Sequence, residues 1–348
     1  MILITIIRLH AGYMMKEISS NMNNSDKYIL EVKNLKKYFD CSSGLFFNRN
    51  KSVVKAVDDV SFSIRKKETL GIVGETGCGK TTLGRTIIKL YEPDEGEIIL
   101  KGKDITKLNE TEMQKERFMI QMIFQDPYLS LDPRMTAGEI ISEPIKINRI
   151  MKDKNDINKR AKELLRLVGL NEDHINRYPH EFSGGQRQRI GVARALAVNP
   201  EIVICDEPVS ALDVSIQAQI INLFEDLREK LDLTYIFISH DLSMVKHISD
   251  KVAVMYLGKI IEYADKEELY NNPIHPYTKA LIHAVPVPDP VFERKRIVDI
   301  LKYDLFDSEK SMLGCSFASR CDSCKAECKE RIPELKDIGN KHLVACNL

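Results

Sequence analysis

The sequence carries no surplus of either charge. Lys+Arg and Asp+Glu each total 51 in 348 residues, for a formal net charge of +0. A general nucleic-acid binder has a basic excess, so this balance argues against that class, while leaving room for a local basic patch. Also missing is any apolar stretch of the roughly 20 residues that a membrane-spanning helix needs. The longest candidate, Met1–Ile7, is closed by Arg8 and His10. It is too short for the apolar core of a signal peptide, and no small-residue cleavage pattern follows it. Ser19–Lys27 is polar, so residues 1–27 read as a disordered or wrongly assigned N-terminus, with Met14, Met15 or Met22 as the alternative start. A cytosolic chain is expected, reaching a membrane only through partners. Internal repeats and low-complexity tracts are likewise absent.

What is present is an ordinary globular composition, 43% hydrophobic and 29% charged, enough for one large α/β domain with an appendage. Strand-like segments begin at Leu30, Val53, Thr69, Ile202, Tyr235, Val252 and Lys259. Helical patterns cover Thr82–Leu90, much of Arg134–Ala197 (with Gly169 as a C-cap) and Ser215–Leu231. Strands separated by helices of this size imply a mainly parallel sheet with crossover helices. Near Pro273 a series of prolines marks a linker into a separate C-terminal extension.

The first chemical signal is Gly74, Glu75, Thr76, Gly77, Cys78, Gly79, Lys80, Thr81 and Thr82, set between an expected strand and an expected helix. Glycines let backbone N–H groups curl around phosphate oxygens, and the helix N-terminus adds partial positive charge. Lys80 is placed to reach the β- and γ-phosphates, and the Thr81 hydroxyl to ligate Mg²⁺. The plain alternative is a glycine-rich turn, which the strand and helix on either side disfavour.

A second signal is the apolar strand Ile202–Cys205 ending in Asp206 and Glu207. Two carboxylates at a strand end usually begin a solvated loop. Following a phosphate loop, Asp206 would instead approach the Mg²⁺ shell, and Glu207 would polarise an attacking water. Another buried strand ends in His240, for which contact with the γ-phosphate is the better reading. A third signal, Phe182 followed by Ser183, Gly184, Gly185 and Gln186, opens a further helix and makes a second anion-binding nest. Two such starts do not fit easily around one nucleotide within one domain, so a dimer that sandwiches ATP is the economical explanation.

Together these motifs resemble the ABC-transporter ATPases, from about Tyr28 to the C-terminus. The resemblance implies an α/β P-loop NTPase fold: a RecA-like core with antiparallel β and helical ABC subdomains, plus a small Cys-rich C-terminal extension. It implies an ATPase domain over 28–272, with its helical subdomain at about 126–197, and the extension over 273–348. Gln125 falls at the Q-loop position near Mg²⁺ with Thr81 and Asp206. Ser210 to Asp213 falls at the D-loop and His240 at the switch. Phe39, with Tyr38 as rival, falls at the adenine-stacking position. Lys80 of one subunit and Ser183 of another would close on one ATP.

Several local features resemble the oligopeptide/dipeptide/nickel importer subfamily, and its F-type ATPase in particular. They are the Gly44–Phe47 insertion, Tyr178–Gln186, Cys205–Gln219, His275–Leu281 and Val285–Pro290. The subfamily implies a D-type second ATPase, two membrane permeases, an extracytoplasmic solute-binding protein and a place at the cytoplasmic face of the membrane. Residues near Gln125 to Pro144 would receive the permeases. A nickel importer, or a soluble repair or translation ATPase, are the other readings. The latter usually show two cassettes or long insertions, which are not seen here.

Five of the eight cysteines crowd the C-terminus. In a reducing cytosol such a cluster reads as a metal site before it reads as disulfides. Cys315, Cys321, Cys328 and Cys346 match the subfamily pattern, which implies a [4Fe–4S] cluster. Zn²⁺ and a metal-free helix hairpin are the alternatives, and the extra Cys324 favours zinc somewhat. Arg320, Lys325, Lys329 and Arg331 are expected to lower the thiol pKa values.

Overall fold

The computed structural model describes residues 28–42, 51–210, 212–285 and 314–347. The N-terminal segment, the Gly44–Phe47 insertion and most of the proline run after Val285 lie outside them.

Among the described residues, twelve strands form two sheets. In chain order they are β1 (Leu30–Ser42), β2 (Lys51–Ile64), β3 (Thr69–Val73), β4 (Glu95–Leu100), β5 (Lys103–Asp104) and β6 (Ile120–Ile123). Then follow β7 (Ile202–Asp206), β8 (Thr234–Ser239), β9 (Lys251–Tyr256), β10 (Lys259–Asp265), β11 (Lys336–Asp337) and β12 (Leu343–Val344). The smaller sheet is antiparallel in the order β2-β1-β4-β5, and the larger runs β11-β12-β10-β9-β3-β8-β7-β6. From β9 to β6 the larger sheet is parallel.

The central strands read as unbroken apolar runs because both faces are covered. Along β8, Tyr235 and Phe237 join one hydrophobic cluster and Ile236 and Ile238 the other. Along β7, Val203 and Cys205 face the first cluster, and Ile202 and Ile204 the second. The first cluster packs the sheet against the helical region, including Ile140, Leu164, Phe182 and Ile190. The second packs it against the small sheet and the helix Lys80–Ile87.

The helices of this region carry strong end signals. Helix Ala137–Ile147 has a capping box made by Thr136 and Glu139, which satisfies backbone donors that would otherwise be orphaned. Helix Lys154–Leu167 starts on the Asp153 side chain and is followed by Gly169 at φ +74, as its sequence pattern predicts. Strands β4, β5 and β6 are not among the sequence expectations. β5 is two residues long and exposed, and β4 carries two glutamates and a glycine, so neither has a run of strand-forming residues to announce it.

The C-terminal residues join the main sheet. β12 pairs antiparallel with β10, and the Ala345 N–H donates to the Ile261 carbonyl at 2.8 Å. Glu262, fully buried, accepts from the backbone N–H groups of Ile274 (2.8 Å) and His275 (3.0 Å). The His342 ring Nε2 lies 2.8 Å from the same carboxylate. One buried acid thus ties the proline-marked junction and the tail to the same strand, and both of its oxygens are engaged. Among the described residues no helix is long and apolar enough to cross a membrane.

Candidate active site

The site forms where the parallel strands β3, β7 and β8 end, the usual binding edge of an open α/β sheet. The loop Gly74–Gly79 leaves β3 and enters helix Lys80–Ile87. Gly79 stands at φ +108, and a Cβ there would lie 1.9 Å from the Ala56 carbonyl oxygen. No side chain is compatible with that approach. Thr76 and Gly77 are exposed at the rim, while Cys78 is buried behind the loop. Burial pushes the Cys78 thiol above its ordinary pKa, so it sits there as an inert filler. The Lys80 ammonium, 4% exposed, donates to the Gly74 carbonyl (2.7 Å) and the Glu75 carbonyl (3.0 Å).

Behind this loop the Thr81 hydroxyl donates to Asp206 Oδ1 at 2.8 Å. Asp206 is completely buried, and its second oxygen, Oδ2, has no hydrogen-bond partner. Burial raises its pKa, which the Thr81 hydrogen bond and the Arg85 charge only partly offset. A buried carboxylate with an unused oxygen beside a hydroxyl suits a hard divalent cation. Thr81 and Asp206 therefore fit Mg²⁺, which when bound supplies charge neutralisation for a phosphoryl group. Gln125, the third expected Mg²⁺ neighbour, instead donates from Nε2 to Glu207 Oε2 at 3.0 Å.

Glu207 is the focus of the polar groups. One carboxylate oxygen, Oε2, accepts from Gln125 and lies 3.2 Å from His240 Nδ1. Its backbone stands at φ 45, in the left-handed region that a side chain occupies at a cost of about 1–2 kcal/mol. The Glu207 N–H is held by the Ile238 carbonyl at 2.9 Å, so the neighbouring strand enforces the turn. Strain of this kind, held in place by its surroundings, turns the carboxylate toward Gln125 and His240. Three groups that lie far apart in sequence are thus gathered into an arrangement able to orient a water and accept its proton.

The second helix start is equally well formed. Ser183 caps helix Gly184–Leu196, and its N–H donates to Gln186 Oε1 at 3.0 Å in a reciprocal capping box. A Cβ on Gly185 would meet Ile216 Cγ2 at 2.4 Å, so glycine lets this helix lie against Val214–Leu231. Asp213, exposed, caps the latter helix without a side-chain bond.

At the aromatic position, the Tyr38 hydroxyl donates to Asp58 Oδ1 at 2.6 Å and its N–H to Asp94 at 2.6 Å. Phe39 packs edge-on to Tyr91, with centroids 5.4 Å apart.

Two neighbours of the phosphate loop have no counterpart among the sequence candidates. The Glu75 N–H donates to the Tyr277 hydroxyl at 2.9 Å. The Glu75 carboxylate is gripped at both oxygens by Arg320, at 2.8 and 2.9 Å. His275-Pro276-Tyr277 was visible as a sequence feature, but nothing in it announced a contact with the loop.

The cysteine tail gives a mixed result. Among the described residues no group of three or more His, Cys, Asp or Glu side chains is arranged to hold a metal ion. The expectation of lowered thiol pKa values is corrected: Cys315 and Cys321 are both raised, chiefly by burial. Arg320, the nearest expected cation, spends its charge on Glu75 instead. Cys328, Cys346 and Cys321 lie close enough to Cys315 to raise it further, and Cys324, Cys346 and Cys328 do the same to Cys321. The Cys315 N–H donates to the Cys328 carbonyl at 2.7 Å.

A phosphate loop, a buried magnesium-type aspartate, a gathered Glu–Gln–His set and a second capped helix define an ATP-binding cassette with ATPase chemistry. The profile of the ABC transporter family matches residues 57–210, and that of the oligopeptide/dipeptide transporter C-terminal region matches 261–328. The chain belongs to the ABC-transporter ATP-binding proteins of the oligopeptide/dipeptide type. It is 56% identical over 323 residues to the oligopeptide transport ATP-binding protein AppF of Bacillus subtilis, covering 92% of this chain and 97% of that one. It is 47% identical to OppF of Escherichia coli, covering 92% and 96%. Among solved structures it resembles the dimeric, post-hydrolysis ATP-binding cassette MJ0796 bound to ADP and Pi. That match has TM-score 0.61 and 29% identity, over 68% of this chain and 98% of that one. It also resembles cbiO1 of Clostridium perfringens, part of the ABC transporter complex cbiONQ. Here the TM-score is 0.61 and the identity 27%, over 71% and 92%.

Proposed function

We propose that this chain is the ATP-hydrolysing subunit that energises import of oligopeptides or dipeptides across the cytoplasmic membrane, held at the cytoplasmic face by membrane permeases. The observation carrying the reading is the pairing of the Thr81–Asp206 and Gln125–Glu207–His240 contacts with a C-terminal region of the oligopeptide/dipeptide type over 261–328. ATP would lie along Gly74–Thr82 with Mg²⁺ between Thr81 and Asp206, and Glu207 would draw a proton from the attacking water. Ser183, Gly184, Gly185, Gln186 and Asp213 of this chain would close over the ATP held by a second cassette, whose matching helix start would close over this one. The solved MJ0796 cassette, a dimer bound to ADP and Pi, supports such a pairing. Phe39 is preferred for stacking on the base, because the Tyr38 hydroxyl and backbone are committed to Asp58 and Asp94.

The second cassette is proposed to be a D-type subunit, and an extracytoplasmic solute-binding protein to deliver the peptide. The division into 28–272 and 273–348, with a helical part at about 126–197, is proposed alongside. Tyr128, 64% exposed and stacked by the Arg187 guanidinium at 3.9 Å, supports the region after Gln125 as the permease-facing surface. Deleting the gene for this chain is expected to abolish uptake of labelled di- and oligopeptides while sparing nickel uptake. Loss of nickel uptake with peptide uptake intact would reverse the assignment.

The nearness of Cys328 and Cys346 to both Cys315 and Cys321 supports a finer reading, that these four cysteines hold a [4Fe–4S] cluster as a staple for the tail. Anaerobically purified protein is then expected to be brown and to contain iron and sulfide. Colourless protein with stoichiometric zinc would favour the tetrahedral alternative, and metal-free protein neither.

A further inference from the structure

Glu75 places a carboxylate inside a loop built to receive a triphosphate, which is an electrostatic liability. A negative group beside phosphate oxygens opposes binding, and partial burial strengthens the opposition by lowering the local dielectric. The structure shows what offsets it. Arg320 reaches back from the cysteine-rich tail and grips both carboxylate oxygens, at 2.8 and 2.9 Å. The Arg320 side chain is 8% exposed and the Glu75 side chain 26%. The guanidinium is held on its other faces by aromatic rings: its carbon lies 5.7 Å from the Phe317 centroid and 5.8 Å from that of Tyr256. Those rings pack on Tyr277, whose hydroxyl accepts the Glu75 N–H at 2.9 Å. The Glu75 carbonyl in turn accepts from Lys80. Every polar group of this one loop residue is therefore engaged, two of the three by residues beyond position 273.

We propose that Arg320 is a positioning residue for ATP binding: it neutralises and aims Glu75, so that the C-terminal module sets the affinity of the phosphate loop for ATP. The bidentate, aromatic-backed geometry suits arginine and not lysine, whose point charge cannot fork across two oxygens. Because Arg320 neighbours Cys321 and follows Phe317, any disturbance of the tail would reach the loop through this contact. The inference rests on reading residues 74–82 as the ATP phosphate loop.

The test is ATP affinity and steady-state kinetics on the full chain, using a fluorescent ATP analogue for binding. Arg320→Ala is expected to raise Kd and KM for ATP about 10-fold with kcat changed by less than about 2-fold, since the perturbed charge lies at the binding loop and not at Glu207. Adding Glu75→Gln to Arg320→Ala is expected to recover most of the lost affinity. A merely structural brace predicts no such recovery, because the double variant still lacks the contact. Arg320→Lys should fall between wild type and Arg320→Ala, and it carries the same comparison with Glu75→Gln should the alanine variant fail to fold. Unchanged affinity in the Arg320 variants, or a double variant no better than its parent, overturns the proposal. Wild-type protein that binds no ATP at all would instead overturn the reading of the loop.

Discussion

Replacing Glu207 with Gln is expected to lower ATP turnover by about 10²- to 10⁴-fold, the usual contribution of a positioned general base. The substitution is nearly isosteric, so the hydrogen bond from Gln125 at 3.0 Å and the His240 contact at 3.2 Å keep a partner of similar shape. What disappears is the carboxylate oxygen proposed to take the proton from the attacking water. ATP affinity should persist, because Lys80, Thr81 and the loop glycines are untouched. With closure intact and hydrolysis stalled, a two-cassette species should accumulate in ATP and disperse when ATP is removed. Phosphate release and ATP-dependent sedimentation read the two effects separately. A variant that hydrolyses ATP at the wild-type rate contradicts the role given to Glu207.

Asp206→Asn is expected to separate stability from activity. Asp206 is completely buried, its Oδ2 has no partner, and burial pushes its pKa above the ordinary 3.8. An acid whose folded pKa is raised destabilises the protein above that folded pKa. The cost fades as pH falls and is gone below 3.8, where the acid is protonated in both states. Asparagine removes the charge, so in metal-free buffer at neutral pH the variant should be at least as stable toward urea as wild type. Its advantage should shrink as pH falls toward 4. Activity moves the other way. The neutral amide is a poor ligand for a hard cation, so Mg²⁺-dependent hydrolysis should fall by about 10²-fold or more, with a higher Mg²⁺ requirement. A variant that is both less stable and fully active would contradict the placement of Asp206 at the cation.

Much of this site was legible in the sequence because its chemistry is local. The glycines and Lys80 of the phosphate loop, the strand ending in Asp206 and Glu207, and the Ser183 helix start are each contiguous. Their neighbours on the sheet follow from strand and helix alternation. The legible part ends where contacts become long-range or conformational. The backbone turn at Glu207 depends on the Ile238 carbonyl of an adjacent strand. Arg320 lies 245 positions from Glu75, and no periodicity links them. The composition shift near Pro273 is real in the sequence. Packing nevertheless runs across it, because Glu262 binds the junction and His342 together and Tyr277 is fully buried against the loop. Thiol pKa values also went the other way from the sequence expectation. Nearby cations count for little once one of them is paired and partial burial desolvates the thiols.

The most direct measurement is peptide accumulation in vesicles reconstituted with the permeases, this chain and its partner cassette, with ATP inside the compartment that faces the cassettes. Peptide-loaded binding protein on the opposite side should stimulate hydrolysis and drive accumulation. Replacing only this chain by its Glu207→Gln variant should stop both the stimulation and the accumulation. Accumulation without ATP, or at an undiminished rate with the variant, would contradict the account.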